Sequence, residues 1–141
     1  MSRGLAVALM SSGILGERLA HASGGEFVFD ATSLDDALRA MGGIQSTSRE
    51  ILLTVPDSVS NGAFVAVTLT SLLPNTQEMS IIVEANPNPM VVRFTIPAGT
   101  EPTISTRVKM AETSRVYAVV KADDKLFSTY SETQVALGGC G

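Results

Sequence analysis

The residue with the clearest chemical potential is Cys140, the only cysteine of the chain, in the segment Gly138-Gly139-Cys140-Gly141. Glycine has no Cβ, so the flanking glycines leave the thiol accessible and let the backbone adopt conformations that are closed to other residues. The thiolate is the nucleophilic form of cysteine, but no side chain in this segment could act as the base that generates it. Because one cysteine cannot close an intramolecular disulfide, its chemistry must involve a second molecule.

We predict that Gly138, Gly139 and Gly141 form a flexible arm that presents Cys140 to other proteins. Counted from Val135, six residue steps would span roughly 20 Å when extended, enough to bring the thiol into a partner's active site. Two alternatives remain open at this point. The cysteine could have no function, or the chain could be a binding module that uses the thiol only for an intermolecular disulfide, as an oxidising compartment allows.

Other common catalytic arrangements are missing from the sequence. Ser-His-Asp and Cys-His catalysis need an imidazole, and the only histidine is His21. One cysteine without further histidines cannot provide a tetrahedral metal site, and the sequence contains no glycine-rich nucleotide-binding loop. The adjacent pair Asp123-Asp124 is typical of a turn rather than of an acid–base pair. We therefore expect a protein that is not itself an enzyme, with no metal and no cofactor.

The composition indicates one globular domain with an aliphatic core. The chain has 141 residues, of which 45% are hydrophobic and 17% charged, and it contains no tryptophan. Its net charge of −4, without any cluster of basic residues, argues against nucleic acid as a partner. No apolar stretch reaches the roughly 18–20 residues that a membrane-spanning helix needs.

The first part of the chain has the pattern of an export signal. Arg3 precedes a mostly apolar stretch over residues 5–15, and Ala20-His21-Ala22 has the small residues favoured before a cleavage site. We interpret residues 1–22 as a signal that is removed after Ala22, in preference to an ordinary amphipathic helix. The mature protein would then contain no histidine.

A short helix is predicted over residues 32–41. Ser33 is a suitable N-cap, and Asp35 and Asp36 would lie in the first turn, where the helix dipole favours negative charge. Four apolar residues would share one face at helical spacing: Leu34, Ala37, Leu38 and Met41. Gly42-Gly43 would end the helix, and we expect the helix to pack over the edge of a sheet.

From about residue 48 onward the apolar residues alternate with a period of two, which predicts β-strands. The candidate strands cover residues 50–55, 63–71, 79–85, 90–96, 103–110, 115–121 and 126–137. Turn signals separate them roughly every 8–12 residues, a spacing typical of antiparallel sandwiches. We predict an all-β, immunoglobulin-like antiparallel β-sandwich over residues 26–137, with one short N-terminal helix and the Gly-Gly-Cys-Gly arm over residues 138–141.

The sequence resembles the SoxY family, the sulfur-carrier subunits of thiosulfate oxidation. The resemblance covers about residues 30–141 and is carried by colinear segments: the helix start at Ser33-Leu34, Asn61-Gly62-Ala63, Asn86-Pro87-Asn88-Pro89, residues 105–114, residues 118–123 and residues 133–141. The family tail usually has two glycines after the cysteine, where this sequence has Gly141 alone.

This resemblance implies both a fold and a function. SoxY proteins are immunoglobulin-like sandwiches that form a heterodimer with SoxZ, a second β-sandwich subunit, in the periplasm. A haem cytochrome would join thiosulfate to Cys140, a thiosulfohydrolase would release sulfate, and a sulfane dehydrogenase would process the remaining sulfur. The resemblance therefore implies a carrier that is the covalent substrate of its partner enzymes.

Overall fold

In the computed structural model, which describes residues 28–43 and 46–136, the chain is a β-sandwich with a flanking helix. Nine strands occur in the described ranges: β1 (Ser46–Thr47), β2 (Ile51–Thr54), β3 (Ser58–Val59), β4 (Val65–Ser71), β5 (Thr76–Val83), β6 (Met90–Thr95), β7 (Thr103–Val108), β8 (Ser114–Ala122) and β9 (Lys125–Val135). The seven predicted strands correspond to β2 and to β4 through β9. The sequence prediction missed β1 and β3.

The strands form a large and a small sheet. The large sheet has the order β1-β9-β8-β5-β6, with β3 also pairing with β9, and the small sheet has the order β2-β4-β7. The order β9-β8-β5-β6 opposite β2-β4-β7 corresponds to G-F-C-C′ opposite A-B-E in immunoglobulin-like sandwiches. All of the longer pairings are antiparallel, as predicted. The two missed strands pair with β9 in parallel instead.

The core between the sheets is built from every second residue of the strands, the ones whose side chains face inward. It is aliphatic, because its buried side chains are mainly those of Leu69, Met79, Ile81 and several valines. Along β4 the burial pattern alternates strictly, with Val65, Val67 and Leu69 buried and the residues between them more accessible. This alternation places one face of each sheet in the core and explains why the period of two predicted the strands.

The helix α1 spans Leu34–Ala40 and has the predicted ends. The Ser33 side chain accepts a hydrogen bond from the Asp36 amide at 3.1 Å. After the helix, the amides of Gly42 and Gly43 donate to the carbonyls of Arg39 and Leu38 at 3.0 and 2.7 Å. Both glycines have positive φ, at 106° and 85°, so the helix ends in a Schellman motif.

The helix packs over a face of the large sheet and not over its edge. Ala37 is buried in a second apolar cluster with Ile82, Val119 and Leu126, which come from β5, β8 and β9, and Leu34, Leu38 and Met41 pack against this cluster. The prediction of the apolar helix face is thus confirmed, but the predicted position at the edge was wrong. These sheet residues alternate with those of the sandwich core, so α1 covers part of the outer face of the large sheet.

Candidate functional site

The four residues of the predicted arm, Gly138, Gly139, Cys140 and Gly141, lie outside the described residues. The structure does show the segment from which they continue, residues 133–136, which we call the arm root. It comprises the last residues of β9 and the following Ala136. From Ala136 to Cys140 there are four residue steps, which cover about 14 Å when fully extended. This is two steps shorter than the span from Val135 to Gly141, because the count begins at Ala136, which is still hydrogen bonded, and stops at the cysteine.

On one side, the arm root is held by the segment around β3. The amides of Gln134 and Ala136 donate to the carbonyls of Asp57 and Val59, at 2.9 and 3.0 Å. The hydroxyl of Thr133, which is fully buried, donates to the Pro56 carbonyl at 2.7 Å. β3 has only two residues, but these bonds tie the last residues of β9 to it.

On the other side, the pairing of β9 with β8 ends at Ser114 opposite Thr133. Beyond that point the side chain of Thr113 replaces the strand partner. Its hydroxyl accepts a hydrogen bond from the Val135 amide at 2.9 Å and lies 3.4 Å from the Val135 carbonyl, to which it donates. One side chain therefore satisfies both main-chain groups of Val135.

The connection between β7 and β8, residues 109–113, is fixed from two further directions. The Met110 amide donates to the Gly62 carbonyl at 2.7 Å. A Cβ on Gly62 would collide with the Met110 carbonyl oxygen and would lie 3.3 Å from a methyl group of Val135. The side chain of Asn86 donates to the Lys109 carbonyl at 2.7 Å and accepts from the Ala111 amide at 2.8 Å.

Several of the segments that carry the family resemblance therefore meet in space. Asn61-Gly62, Asn86 and residues 109–113 are distant in sequence but come together beside the arm root. Sequence reasoning quoted Thr113 without giving it a role, and it missed Val59 and Asp57 altogether. Thr113 lies within residues 105–114, one of the segments that carry the resemblance, and Val59 lies two residues before Asn61, where another begins. Neither pattern indicates a contact with the arm root.

A shallow cavity of ≈ 300 Å³ lies at the arm root. It is lined by residues 58–60, by Thr113 and by residues 134–136. None of these lining residues has an ionisable side chain. The cavity thus offers hydroxyl, amide and apolar groups, but no acid or base that could activate a thiol.

The charged groups that could have suggested catalysis have structural roles. Asp123 and Asp124 both have positive φ and close the hairpin between β8 and β9. Asp123 accepts a hydrogen bond from the Asn75 side chain at 2.7 Å, and Asp124 accepts one from Gln77 at 2.9 Å. Among the residues whose placement is described, no group of three potential metal ligands occurs.

Arg115 forms an exposed cluster with two tyrosines on the outer face of the large sheet. Its guanidinium lies 4.9 Å from the centre of the Tyr130 ring, and that ring lies 5.2 Å from the Tyr117 ring. A hydrogen bond with the Tyr117 hydroxyl and the nearby Tyr130 raise the pKa of Arg115. Arg115 consequently stays charged and is no candidate base.

Arg107 and Lys109, which alternate along and just beyond β7, are both exposed. In the described residues, no helix is long and apolar enough to cross a membrane.

Comparison with solved structures shows which proteins share this fold. The sulfur carrier protein SoxY from Chlorobium limicola f thiosulfatophilum is 36% identical, with a TM-score of 0.68, and the match covers 79% of this chain and 98% of that chain. Superoxide reductase (neelaredoxin) from Ignicoccus hospitalis is 19% identical, with a TM-score of 0.57 and coverage of 66% and 95%. At that identity the second similarity shows the fold alone.

Comparison with curated proteins gave no match. The model of the family described as sulfur oxidation protein SoxY matches residues 37–140, and the matched region therefore includes the second half of the helix, the strands and Cys140. With this match over most of its length, and with the similarity to the Chlorobium structure, the chain belongs to the SoxY family.

Proposed function

We propose that this protein is a covalent sulfur carrier of thiosulfate oxidation, with Cys140 as the attachment point. The observation that carries the proposal is the family match through residue 140, which includes the only cysteine of the chain. The 36% identical Chlorobium protein is itself described as a sulfur carrier. Membership of this family supports the sulfur-carrier role. The individual reaction steps on Cys140 and the partner enzymes are part of our proposal.

In the first proposed step, the Cys140 thiolate and thiosulfate form a sulfur–sulfur bond to give a cysteine S-thiosulfonate. Joining two anionic sulfur species in this way releases two electrons, which a haem cytochrome partner accepts. In the second step, a thiosulfohydrolase adds water to the terminal sulfonate group, and sulfate leaves. A persulfide remains on Cys140. A sulfane dehydrogenase then adds three oxygens from water to its outer sulfur and passes the six electrons to an acceptor, with release of protons.

The residues around the arm root support the proposal that the partner enzymes provide the catalytic groups. The cavity beside it has no ionisable lining residue, and the only histidine is in the predicted export signal. A thiol is activated by a neighbouring base or cation, and the residues that line this cavity provide neither. We therefore place the acid–base and redox chemistry in the partner enzymes, and we propose that this chain is their substrate and not an enzyme.

We further propose that the protein acts in the periplasm as a heterodimer with a SoxZ-like β-sandwich subunit. The small sheet supports a protein partner, because three of the five large apolar side chains that are exposed among the described residues lie on this sheet or next to the ends of β4. These are Leu52, Phe64 and Leu72, with exposures of 49%, 73% and 57%. Exposed apolar side chains of this size are often found at protein contacts.

The test is Cys140→Ser in a reconstituted thiosulfate-oxidising system. We expect thiosulfate-dependent turnover to be lost while the circular dichroism spectrum and the unfolding midpoint stay the same. As a matched control, the double variant Cys140→Ser with Ser46→Cys places the only thiol on exposed β1 and should not restore turnover. Unchanged turnover in Cys140→Ser, or its recovery in the double variant, would contradict the proposal.

Intact-mass measurement separates the carrier from a module that uses the thiol only for an intermolecular disulfide. A carrier isolated from cells that oxidise thiosulfate should hold a reductant-sensitive increment corresponding to sulfur or thiosulfonate on the monomer. A reducible dimer without any such increment would favour the disulfide-linked module.

A further inference from the structure

We propose that the outer face of the small sheet binds a second copy of this chain, in a symmetric dimer that forms without a disulfide. The inference goes beyond the proposed function, because the second copy would occupy this face only while the SoxZ-like subunit does not cover it. It rests on described residues alone and involves neither Cys140 nor the predicted arm.

The small-sheet face consists of the outward side chains of β2, β4 and β7 and of the residues that continue these strands. It comprises every second residue over 50–54, 64–72 and 101–109, thirteen in all. Twelve of these residues are exposed and Thr70 is half-buried, whereas every residue between them is buried or half-buried. The alternation thus separates one continuous outer surface from the core.

The middle of the small-sheet face carries no charge and has short side chains, mainly of threonine, serine and alanine. Its hydroxyl groups bond to each other across β4 and β7, at 3.2 Å between Thr68 and Ser105 and at 3.1 Å between Thr70 and Thr103. Covering a hydroxyl is costly when it leaves the group without a partner. These hydroxyls keep their partners within the chain, so a second sheet could cover them at little cost.

The apolar side chains of the face lie at equal distances from its middle. Phe64 precedes Thr68 by four residues along β4, and Leu72 follows it by four. Phe64 is 73% exposed and Leu72 57%. The two largest apolar groups of this line therefore lie at its opposite ends.

The charges along β7 are spaced in the same way. Glu101 precedes Ser105 by four residues and Lys109 follows it by four, with Arg107 beside Lys109. One end of this line is therefore acidic and the other basic. Thr68 pairs with Ser105 in the β4–β7 ladder, so the apolar and the charged patterns have the same centre.

This arrangement is complementary to itself. A two-fold axis that crosses the strands at the common centre, between two facing copies, places Phe64 on Leu72 of the second copy and Glu101 near its Lys109. Aligned sheets cross at about 30°, which offsets the ends of the strands by about 7 Å, a distance that glutamate and lysine side chains can span together. Self-complementarity of one surface is the requirement for a two-fold symmetric dimer.

The size of the face sets the expected affinity. Thirteen residues per copy are about half of the roughly 20–30 that each side of a standard interface contributes. We therefore expect a weak and reversible dimer, with a Kd on the order of 100 µM.

The test is sedimentation equilibrium of the full chain at concentrations up to about 1 mM, with a reductant that removes any disulfide-linked dimer. Glu101→Lys and Lys109→Glu each bring like charges together at both symmetric contacts and should raise Kd about tenfold. An equimolar mixture of the two variants restores opposite charges at both contacts and should recover the wild-type affinity. Recovery in the mixture also shows that neither substitution has damaged the fold.

A second pair of variants tests the apolar contact. Phe64→Ser should raise Kd about tenfold. The matched control is Tyr130→Ser, which removes an aromatic side chain of 52% exposure from the large sheet and should leave Kd unchanged.

Three results would each overturn the proposal: a wild-type protein that stays monomeric, a mixture that associates no more tightly than either charge variant alone, or equal effects of Phe64→Ser and Tyr130→Ser. The proposed function fails by a different result, because turnover in Cys140→Ser would end the carrier role without changing the sedimentation of the reduced protein.

Discussion

Gly62 shows how a single residue can be required for packing instead of for flexibility. Its carbonyl accepts the Met110 amide at 2.7 Å, and the backbones approach so closely that a Cβ would collide with the Met110 carbonyl oxygen. This oxygen belongs to the main chain and cannot rotate away. Gly42 differs, because a Cβ there would meet nothing within 4 Å, and only its φ of 106° favours glycine.

We predict that Gly62→Ala lowers the free energy of unfolding by about 1–3 kcal/mol, the usual cost of forcing extra atoms into a packed site. Urea denaturation measures this loss. Chemical shifts should change at Met110 and Val135, next to the substitution. In the comparison variant Gly42→Ala, any shift changes should stay at the end of α1. If Gly62→Ala leaves the Met110 and Val135 signals unchanged, the close approach is not a constraint on the fold.

At the residue scale, the sequence points to Cys140, whose role stays a prediction, but it does not predict the contacts of the arm root. Cys140 could be singled out because it is unique and flanked by glycines. The contacts of Thr113 with Val135 and of Val59 with Ala136 join segments that are far apart in the chain. No local pattern encodes such pairs, because they depend on how the sheets come together.

Among the elements, α1 was predictable because its signals are local. The cap at Ser33, the acidic first turn and the glycines after the helix all act within a few residues of the helix. The ion pair of Asp36 with Arg39 adds little, since both side chains are more than half exposed and exposed pairs contribute roughly 0–1 kcal/mol. The helix end signals are therefore the ones worth testing.

We predict that Ser33→Ala destabilises the protein by about 1 kcal/mol, the typical cost of losing an N-cap side chain. The Ser33 oxygen accepts the Asp36 amide at 3.1 Å, and alanine would leave that amide to solvent. The measurement is the shift of the urea unfolding midpoint. Ser46→Ala, in exposed β1, is the control and should have the stability of the wild type. Equal midpoints for Ser33→Ala and the control would show that the cap does not contribute.

The strands differ in how far the sequence revealed them. Long strands such as β4, β8 and β9 have enough residues for alternation to be visible. β1 and β3 have two residues each, too few to show a period, and they exist because β9 offers an open edge. The predicted position of α1 was wrong for a similar reason. Its apolar face can be read from neighbouring residues, but the sheet surface on which it packs is formed by strands that are distant in the sequence.

For the molecule as a whole, β9 is the last strand of the described sandwich, and Cys140 follows its final residue, Val135, by five positions in the sequence. The aliphatic core between the sheets and the second cluster under α1 give a rigid body. The hydrogen bonds at the arm root extend that body to Ala136. The sandwich thus fixes the residue from which the predicted arm continues. The proposed sulfur chemistry takes place on Cys140, in the residues that follow.

The last prediction concerns the maturation of the whole chain. If residues 1–22 are an export signal, a bacterium that expresses the full sequence should accumulate a periplasmic protein that begins at Ser23 and lacks His21. Intact mass of the periplasmic fraction measures this directly. Ala22→Phe should retard cleavage, because small residues are needed before the cleavage site, whereas Ser23→Ala should be cleaved normally. A protein that stays in the cytoplasm with residues 1–22 attached would contradict the export signal. It would also contradict the proposal that the protein acts with partner enzymes in the periplasm.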